Sequence, residues 1–437
     1  MSAPPRPRRR MFYGWWVVAC GAGIELLVGA LMQQAFGGYA AALTREFGWS
    51  RSAIGIGFSL SRLENGILGP LQGWLIDRFG PRAVIRAGLV LLSLGFLLFS
   101  QTNSLWMFYV TFGLMALGAG LAGFMAITVA VVNWFDRYRA RALGMAQIGF
   151  AVGGLIAPLV ILGITQYGWR EMAIVSAVLI LVLGLPVASF IHSRPEDIGL
   201  RMDGLTLEEE TEERERDRLA HRTSHSTEVD YTAREALRTP AFWLISLGHA
   251  MALTVVSAVM VHLFLHLTES LQYSDAQAAS FIGLMTVFQI VGQLVGGYLG
   301  DRINKRIILC ICMGMHASGV LLVAHVPALW GVLAFAVLHG AAWGGRGPLQ
   351  QALRADYFGR TSFGMIMGFS SMITMVGTVF GPVLAGVLFD RTGSYTSGFT
   401  VLAIIAAFGS LAFAFAKRPP LPVRPAEPQP EAVSAGD

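Results

Sequence analysis

The sequence predicts an all-α membrane protein of twelve transmembrane helices arranged as two six-helix, pseudo-symmetric halves. Three observations predict it: the scarcity of charge, the spacing of long apolar runs, and a repeat relating the first half of the chain to the second. Of the 437 residues, 54% are hydrophobic and 14% are charged, against about 25% charged in a soluble domain. Most of the surface therefore faces something other than water.

A membrane-crossing helix needs about 20 predominantly apolar residues. Lipid offers no partner to an unpaired backbone group, so each crossing is read as a helix. Twelve runs qualify, near 14–43, 52–76, 82–101, 106–133, 142–166, 171–191, 240–267, 276–299, 307–326, 329–353, 363–388 and 397–416. The first follows Arg8, Arg9 and Arg10 and resembles a secretory leader. Its apolar stretch is too long for one, and further spans follow it.

Lys and Arg set the orientation. With the N-terminus in the cytoplasm, the cytoplasmic connections hold Arg78, Arg82, Arg86, Arg137, Arg139, Arg141, Arg302, Lys305, Arg306, Arg354 and Arg360, besides the N-terminal arginines and those of the tail. The opposite side holds Arg45, Arg51, Arg170 and Arg391. Both termini are expected in the cytoplasm, with the protein in the plasma (inner) membrane. This asymmetry explains the net charge of +5 with no nucleic acid as partner. Cys20, Cys310 and Cys312 lie in apolar runs and are read as small buried residues.

The chain divides into a six-helix half at 1–191, a charged cytoplasmic linker at 192–239, a second half at 240–416 and a disordered cytoplasmic tail at 417–437. In the linker, Glu210/Arg214 and Glu212/Arg216 stand four apart, the spacing of a short solvated helix. Thr232-Ala233-Arg234-Glu235 has the capping-box pattern of a helix start.

The halves repeat at an offset of 224. Gly73/Gly297, Asp77/Asp301, Arg78/Arg302, Arg82/Arg306, Gly144/Gly368 and Pro158/Pro382 are among the matches. Parallel six-helix repeats are a transporter plan with the solute site between them near the midplane. Gly73-x-x-x-Asp77-Arg78-x-Gly80-x-Arg82 recurs as Gly297-x-x-x-Asp301-Arg302-x-Asn304-x-Arg306. Asn304 replaces Gly80, and Asn is the side chain that best tolerates a left-handed turn.

On this doubled motif the chain resembles the major facilitator superfamily over essentially its whole length. Tyr13-Gly14-Trp15-Trp16, Glu46 to Arg51, Arg194 to Leu200 and Leu237 to Trp243 are similar to its monocarboxylate transporter-like and oxalate/formate antiporter-like branch. The resemblance implies that Asp77 and Asp301, with Arg78, Arg82, Arg302 and Arg306, gate the chain by latching helix ends across the halves. It also implies that spans 1, 4, 7 and 10 line the cavity. The chain departs from that branch in two places: span 8 offers only Gln289 and Gln293, and span 11 has no charge. Gly149-x-x-x-Gly153-Gly154-x-x-x-Pro158 resembles a partial antiporter motif.

Charged groups at a span centre cost about 2.5–3.5 kcal/mol, so they face a cavity or a partner. Glu25, Arg62, Glu64, Arg346, His249 and His339 are such groups. They lie roughly 12–22 Å from the cytoplasmic ends at about 1.5 Å per residue. Glu25 and His249 are related by the 224 offset. His339, Trp343 and Arg346 fall on one helix face. An aromatic ring, a cation and a titratable group on one stripe suit a carboxylate, and Gly347-Pro348 is expected to break the helix there. Arg346, with Trp343, His339 and Arg62, is the expected substrate site, and Glu25, Glu64 and His249 the expected proton carriers. Arg346 could instead pair with Glu25 or Glu64, and Arg62 with Glu25. His262 and His266 are read as interfacial rather than as a metal pair, and His316 as structural.

These residues point to a proton-coupled transporter of a small organic anion, acting as a monomer without cofactor or metal. The alternative is a proton-driven exporter of a neutral or amphipathic compound. No nucleotide loop, metal cluster or nucleophile constellation supports an enzyme or a sensor.

Overall fold

The computed structural model describes residues 11–206, 209, 211, 212 and 230–422. The N-terminal arginines and the Glu210/Arg214 and Glu212/Arg216 pairs lie outside the described residues, as does the tail beyond residue 422. Twelve helical rods run through the described chain. We label them α1 (Gly14–Phe47), α2 (Arg51–Ile67 and Gly69–Phe79), α3 (Pro81–Phe99), α4 (Leu105–Trp134), α5 (Arg139–Tyr167) and α6 (Trp169–Ser189). The second set is α7 (Pro240–Ser270), α8 (Asp275–Gly300), α9 (Lys305–His325), α10 (Leu329–Phe358), α11 (Phe363–Thr392) and α12 (Tyr395–Phe415). Ten are apolar and long enough to cross a membrane. The other two, α2 and α10, carry the charged residues that interrupt their apolar character.

Side-chain caps explain several rod starts. Ser50, Ser104, Thr239 and Ser274 each accept a backbone N–H from the first helical turn, satisfying donors that a helix end leaves free. Five rods depart from regular α geometry, α7 through a π turn at His266–Ser270. α1 contains a π turn at Gly29–Gln34 and α6 one at Ile180–Gly184, α2 breaks at Leu68 and α4 at Gly123. π turns cluster at functional sites, and the one in α1 sits beside the cavity described below. The expected break at Gly347-Pro348 is absent, and α10 runs unbroken through Pro348. A proline ring clashes with the carbonyl four residues earlier. Here that residue is Gly344, in a stretch that includes Gly345 and Gly347, so the backbone has room to adjust.

The two halves meet most closely at the end of the bundle where the linker lies. A Cβ on Gly73 would lie 2.1 Å from the Gly364 carbonyl, and one on Gly297 would lie 3.0 Å from the Ala140 carbonyl. Only glycine allows this approach of α2 to α11 and of α8 to α5. Asp77 Oδ1 accepts from Gly364 N (2.9 Å) and Oδ2 from Met365 N (2.8 Å). Asp301 Oδ1 accepts from Ala140 N (2.9 Å). Adding 224 to 140 gives 364, so the donors obey the same repeat as the acceptors. An ionic belt joins the halves beside them, with Arg139–Asp356 at 2.6 Å and Lys305–Asp356 at 2.7 Å.

Two arginines of the motif bond within their own halves. Arg82 donates to the Ser189 carbonyl at 2.9 Å, and Arg306 donates to the carbonyls of Phe413 and Ala414. Since 82 and 189 become 306 and 413 on adding 224, both staple the start of the third rod to the end of the sixth within one half. Arg78 is exposed. Arg302 lies over the Tyr298 ring at 3.8 Å. Asn304 takes φ −57° and accepts from Arg306 N, capping α9. The left-handed turn found at Gly80 (φ +79°) is therefore replaced by a side-chain cap, not imitated.

The linker docks where it is described. Asn133 and Trp134 donate to the carbonyls of Ser193 and His192. Asp203, held at φ +56°, accepts from the backbone N–H of Asp136 and Arg137. Asp230 accepts from Arg360 N and Thr361 N, and Arg360 pairs with Glu196 at 3.0 Å. The capping box at Thr232 and Glu235 forms as the sequence predicts.

Candidate functional site

Above the contacts that close the linker side lies a cavity of about 450 Å³ between the two halves. Its walls reach Thr378 on α11, Phe112 on α4 and Met32 in the π turn of α1. Spans 1, 4, 7 and 10 contribute as expected, and α2, α5, α8 and α11 add glutamines and hydroxyls. Gln72, Gln147, Gln289 and Gln293 face it, as does Ser370.

Arg346 on α10 is 2% exposed. Its Nη1 donates to Gln350 Oε1 at 3.1 Å. Gln350 Nε2 then has only a donor's role toward His249 Nε2 at 2.8 Å, so His249 accepts there and carries its proton on Nδ1. Arg346, Gln350 and His249 thus form a chain from α10 to α7. Arg354, one further turn pair along α10, donates to Ser370 Oγ at 2.8 Å and to Gln351 Oε1. Ser370 in turn accepts from Ser246 at 2.9 Å. Neither arginine pairs with a carboxylate among the described residues, and the Nε of each lacks a hydrogen-bond partner. The expected alternative, an Arg346 pair with Glu25 or Glu64, is not formed.

Glu25 faces the cavity from α1, buried, with Oε1 unpartnered. Trp343 lines it from α10, half-buried. Two other expected site residues are placed differently. His339 is fully buried behind the wall, its Nδ1 3.1 Å from His316 Nδ1 and its ring stacked on Phe335. The short imidazole is taken by α9, while the longer Arg346 side chain on nearly the same stripe reaches the cavity. Glu64 is half-buried and turned toward Gly113 on α4, away from the cavity wall. Arg62 lies on α2 with its side chain outside the described ones.

Sequence reasoning missed Arg354, which was counted as a cytoplasmic loop charge. Arg346, Gln350 and Arg354 stand at i, i+4 and i+8, a polar stripe that was legible had the helix been extended past residue 353. His262 and His266 bond carbonyls of Pro382 and Val323, bracing α7 against α11 and α9. No cluster of three or more His, Cys, Asp or Glu suited to a metal occurs among the described residues. Outside the membrane-spanning helices, burial pushes the Asp301 carboxyl up to about 6, against the opposing pull of the Ala140 N–H, Arg141 and Lys305.

A sequence model of the Major Facilitator Superfamily matches residues 23–284 and again 243–435. Monocarboxylate transporter 13 of Bos taurus is 26% identical over 348 residues, covering 78% of this chain and 75% of that one. Monocarboxylate transporter 12 of Rattus norvegicus is 29% identical over 376 residues, covering 80% and 74%. Among solved structures, the proton:xylose symporter XylE superposes with a TM-score of 0.73 at 16% identity, covering 93% of this chain and 96% of that one.

Proposed function

The chain belongs to the Major Facilitator Superfamily and is a secondary transporter, and we propose that it carries a small organic anion, a carboxylate, together with a proton by alternating access. The observation that carries this reading is Arg346: a full charge buried in the cavity wall, bonded only to the neutral Gln350. A buried cation without a counter-ion is unfavourable. An arriving carboxylate supplies the counter-ion and meets the planar guanidinium fork with two hydrogen bonds. Trp343 packs on the body of the solute. The likeness to monocarboxylate transporters supports the same class of solute.

Glu25 carries the proton in this reading. It is a buried carboxyl with a free oxygen on the wall facing Arg346, and its repeat mate is His249. The bias of Lys and Arg supports the linker side as the cytoplasmic side, with both termini in the cytoplasm, and the reading takes the membrane to be the plasma (inner) membrane. The Asp77 and Asp301 latches are then the cytoplasmic gate, and the described conformation has that gate shut. Each half moves as one body, with Arg82 and Arg306 holding it together. In this reading the protein works as a monomer, with the solute path running between the two halves of one chain.

The test is uptake of radiolabelled carboxylates into liposomes containing the purified protein, under an imposed pH gradient with the interior alkaline. Uptake that rises with the gradient and collapses with a protonophore is expected. Uptake of no carboxylate, or uptake indifferent to the gradient, contradicts the anion and proton parts respectively.

A further inference from the structure

Building on the anion reading above, we propose that the substrate carries two acidic groups, one held at Arg346 and the other at Arg354, which makes it a linear dicarboxylate. Both arginines lie on α10 and both line the cavity. They are 2% and 1% exposed. Eight residues separate them, about 12 Å along the helix axis, so their forks present two anion-binding points one above the other. The described hydrogen bonds of each go only to uncharged groups: Gln350 for Arg346, and Gln351 and Ser370 for Arg354. Each keeps an unpartnered Nε. One carboxylate can answer only one of these guanidinium groups, and leaving the other buried without a counter-ion is unfavourable.

The charge on the walls matches a dianion when Glu25 is protonated. The described charged side chains lining the cavity are Glu25, Arg346 and Arg354. When Glu25 holds a proton, a dianion brings the loaded cavity to neutrality and a monoanion leaves one positive charge over. When Glu25 is ionised, a monoanion already suffices. Double charge on the solute and a proton on Glu25 therefore belong together. The groups facing Glu25 across the cavity are His249 on α7 and the two arginines on α10, and α2 carries Glu64, turned toward α4, and Arg62. Over residues 105–134, 142–167 and 172–189, the parts of α4, α5 and α6 available to pack on α1, there is no Asp, Glu, His, Lys or Arg.

The experiment measures binding of two series to the purified full chain by competition or thermal shift: propionate, butyrate and valerate, and succinate, glutarate and adipate. We expect at least one dicarboxylate to bind tenfold or more tightly than the monocarboxylate of equal length, with a maximum at one chain length. Arg354→Gln weakens dicarboxylate binding more than monocarboxylate binding and so removes that preference. Ser370→Ala, which takes away a neutral partner of Arg354 but not its charge, keeps the preference. Monocarboxylates that bind as tightly as dicarboxylates overturn the proposal and leave the anion reading standing, and so does an Arg354→Gln variant that weakens both series equally. If neither series binds, the anion reading falls and the proposal with it. If Arg354→Gln does not fold, the comparison of the two series on the unmutated chain still decides.

Discussion

Asp77 and Asp301 stand 224 residues apart and perform one operation twice, each accepting backbone N–H groups at the start of a rod in the opposite half. Asp77 holds Gly364 and Met365 of α11, and Asp301 holds Ala140 of α5. The acceptors and donors are related by the same offset, so the closed side of the molecule is a symmetric lock with two tongues.

The first prediction follows from that lock. Asp77→Asn removes a charged acceptor from two backbone donors, an interaction of about 1.5–3 kcal/mol. It should shift the equilibrium toward the linker-side-open form by about tenfold or more, since about 1.4 kcal/mol is a factor of ten. Labelling of single cysteines placed on the linker side of α5 and α11 measures it. Labelling that stays unchanged in Asp77→Asn shows that Asp77 does not hold that side shut.

The second concerns pH. Burial holds the latched Asp301 carboxyl at about 6, above its ordinary value, to which it returns when the linker side opens to water. The latched form therefore binds the proton more tightly. It gains as pH falls from 7 toward 5, and loses that gain as pH rises through 6. The labelling should slow on acidification, and Asp301→Asn should flatten the dependence. Faster labelling at low pH contradicts the assignment.

Twelve spans and the doubled motif were legible because lipid imposes long apolar runs and because a repeat is visible in residue identities alone. Which residue of the motif latches and which staples was not legible: Arg82 and Asp77 lie five residues apart, and only the fold shows that one reaches Ser189 in its own half and the other Gly364 across the molecule. His339 was placed on the right stripe and in the wrong surroundings, because a stripe fixes direction and not what fills the space before it. Arg354 was lost because a positive charge near a span end reads equally well as topology and as site.

The third prediction separates staple from gate. Arg306→Gln loses donors to the Phe413 and Ala414 carbonyls. It should lower stability by about 1.5 kcal/mol, the lower end for a charged donor, because the group is partly exposed. Thermal unfolding measures this, and the labelling pattern should stay as in the unmutated chain. A changed pattern at unchanged stability restores a gating role.

The fourth concerns Glu25. Glu25→Gln keeps the volume and removes the titratable group. Uphill uptake driven by the pH gradient should be lost, while exchange of labelled for unlabelled solute across equal pH continues. Gradient-driven uptake that survives shows that the proton travels elsewhere.

The most direct test of the account is equilibrium binding of the carboxylate by Arg346→Lys and Arg346→Ala, with thermal stability recorded on the same samples. Lys keeps the charge and loses the planar fork, so it should bind more weakly yet measurably. Ala should bind at least a hundredfold more weakly, consistent with about 3–5 kcal/mol for breaking a buried ion pair, while remaining folded, because Arg346 has no carboxylate partner among the described residues. Binding by Arg346→Ala that matches the unmutated protein would contradict the assignment of this arginine as the anion's anchor.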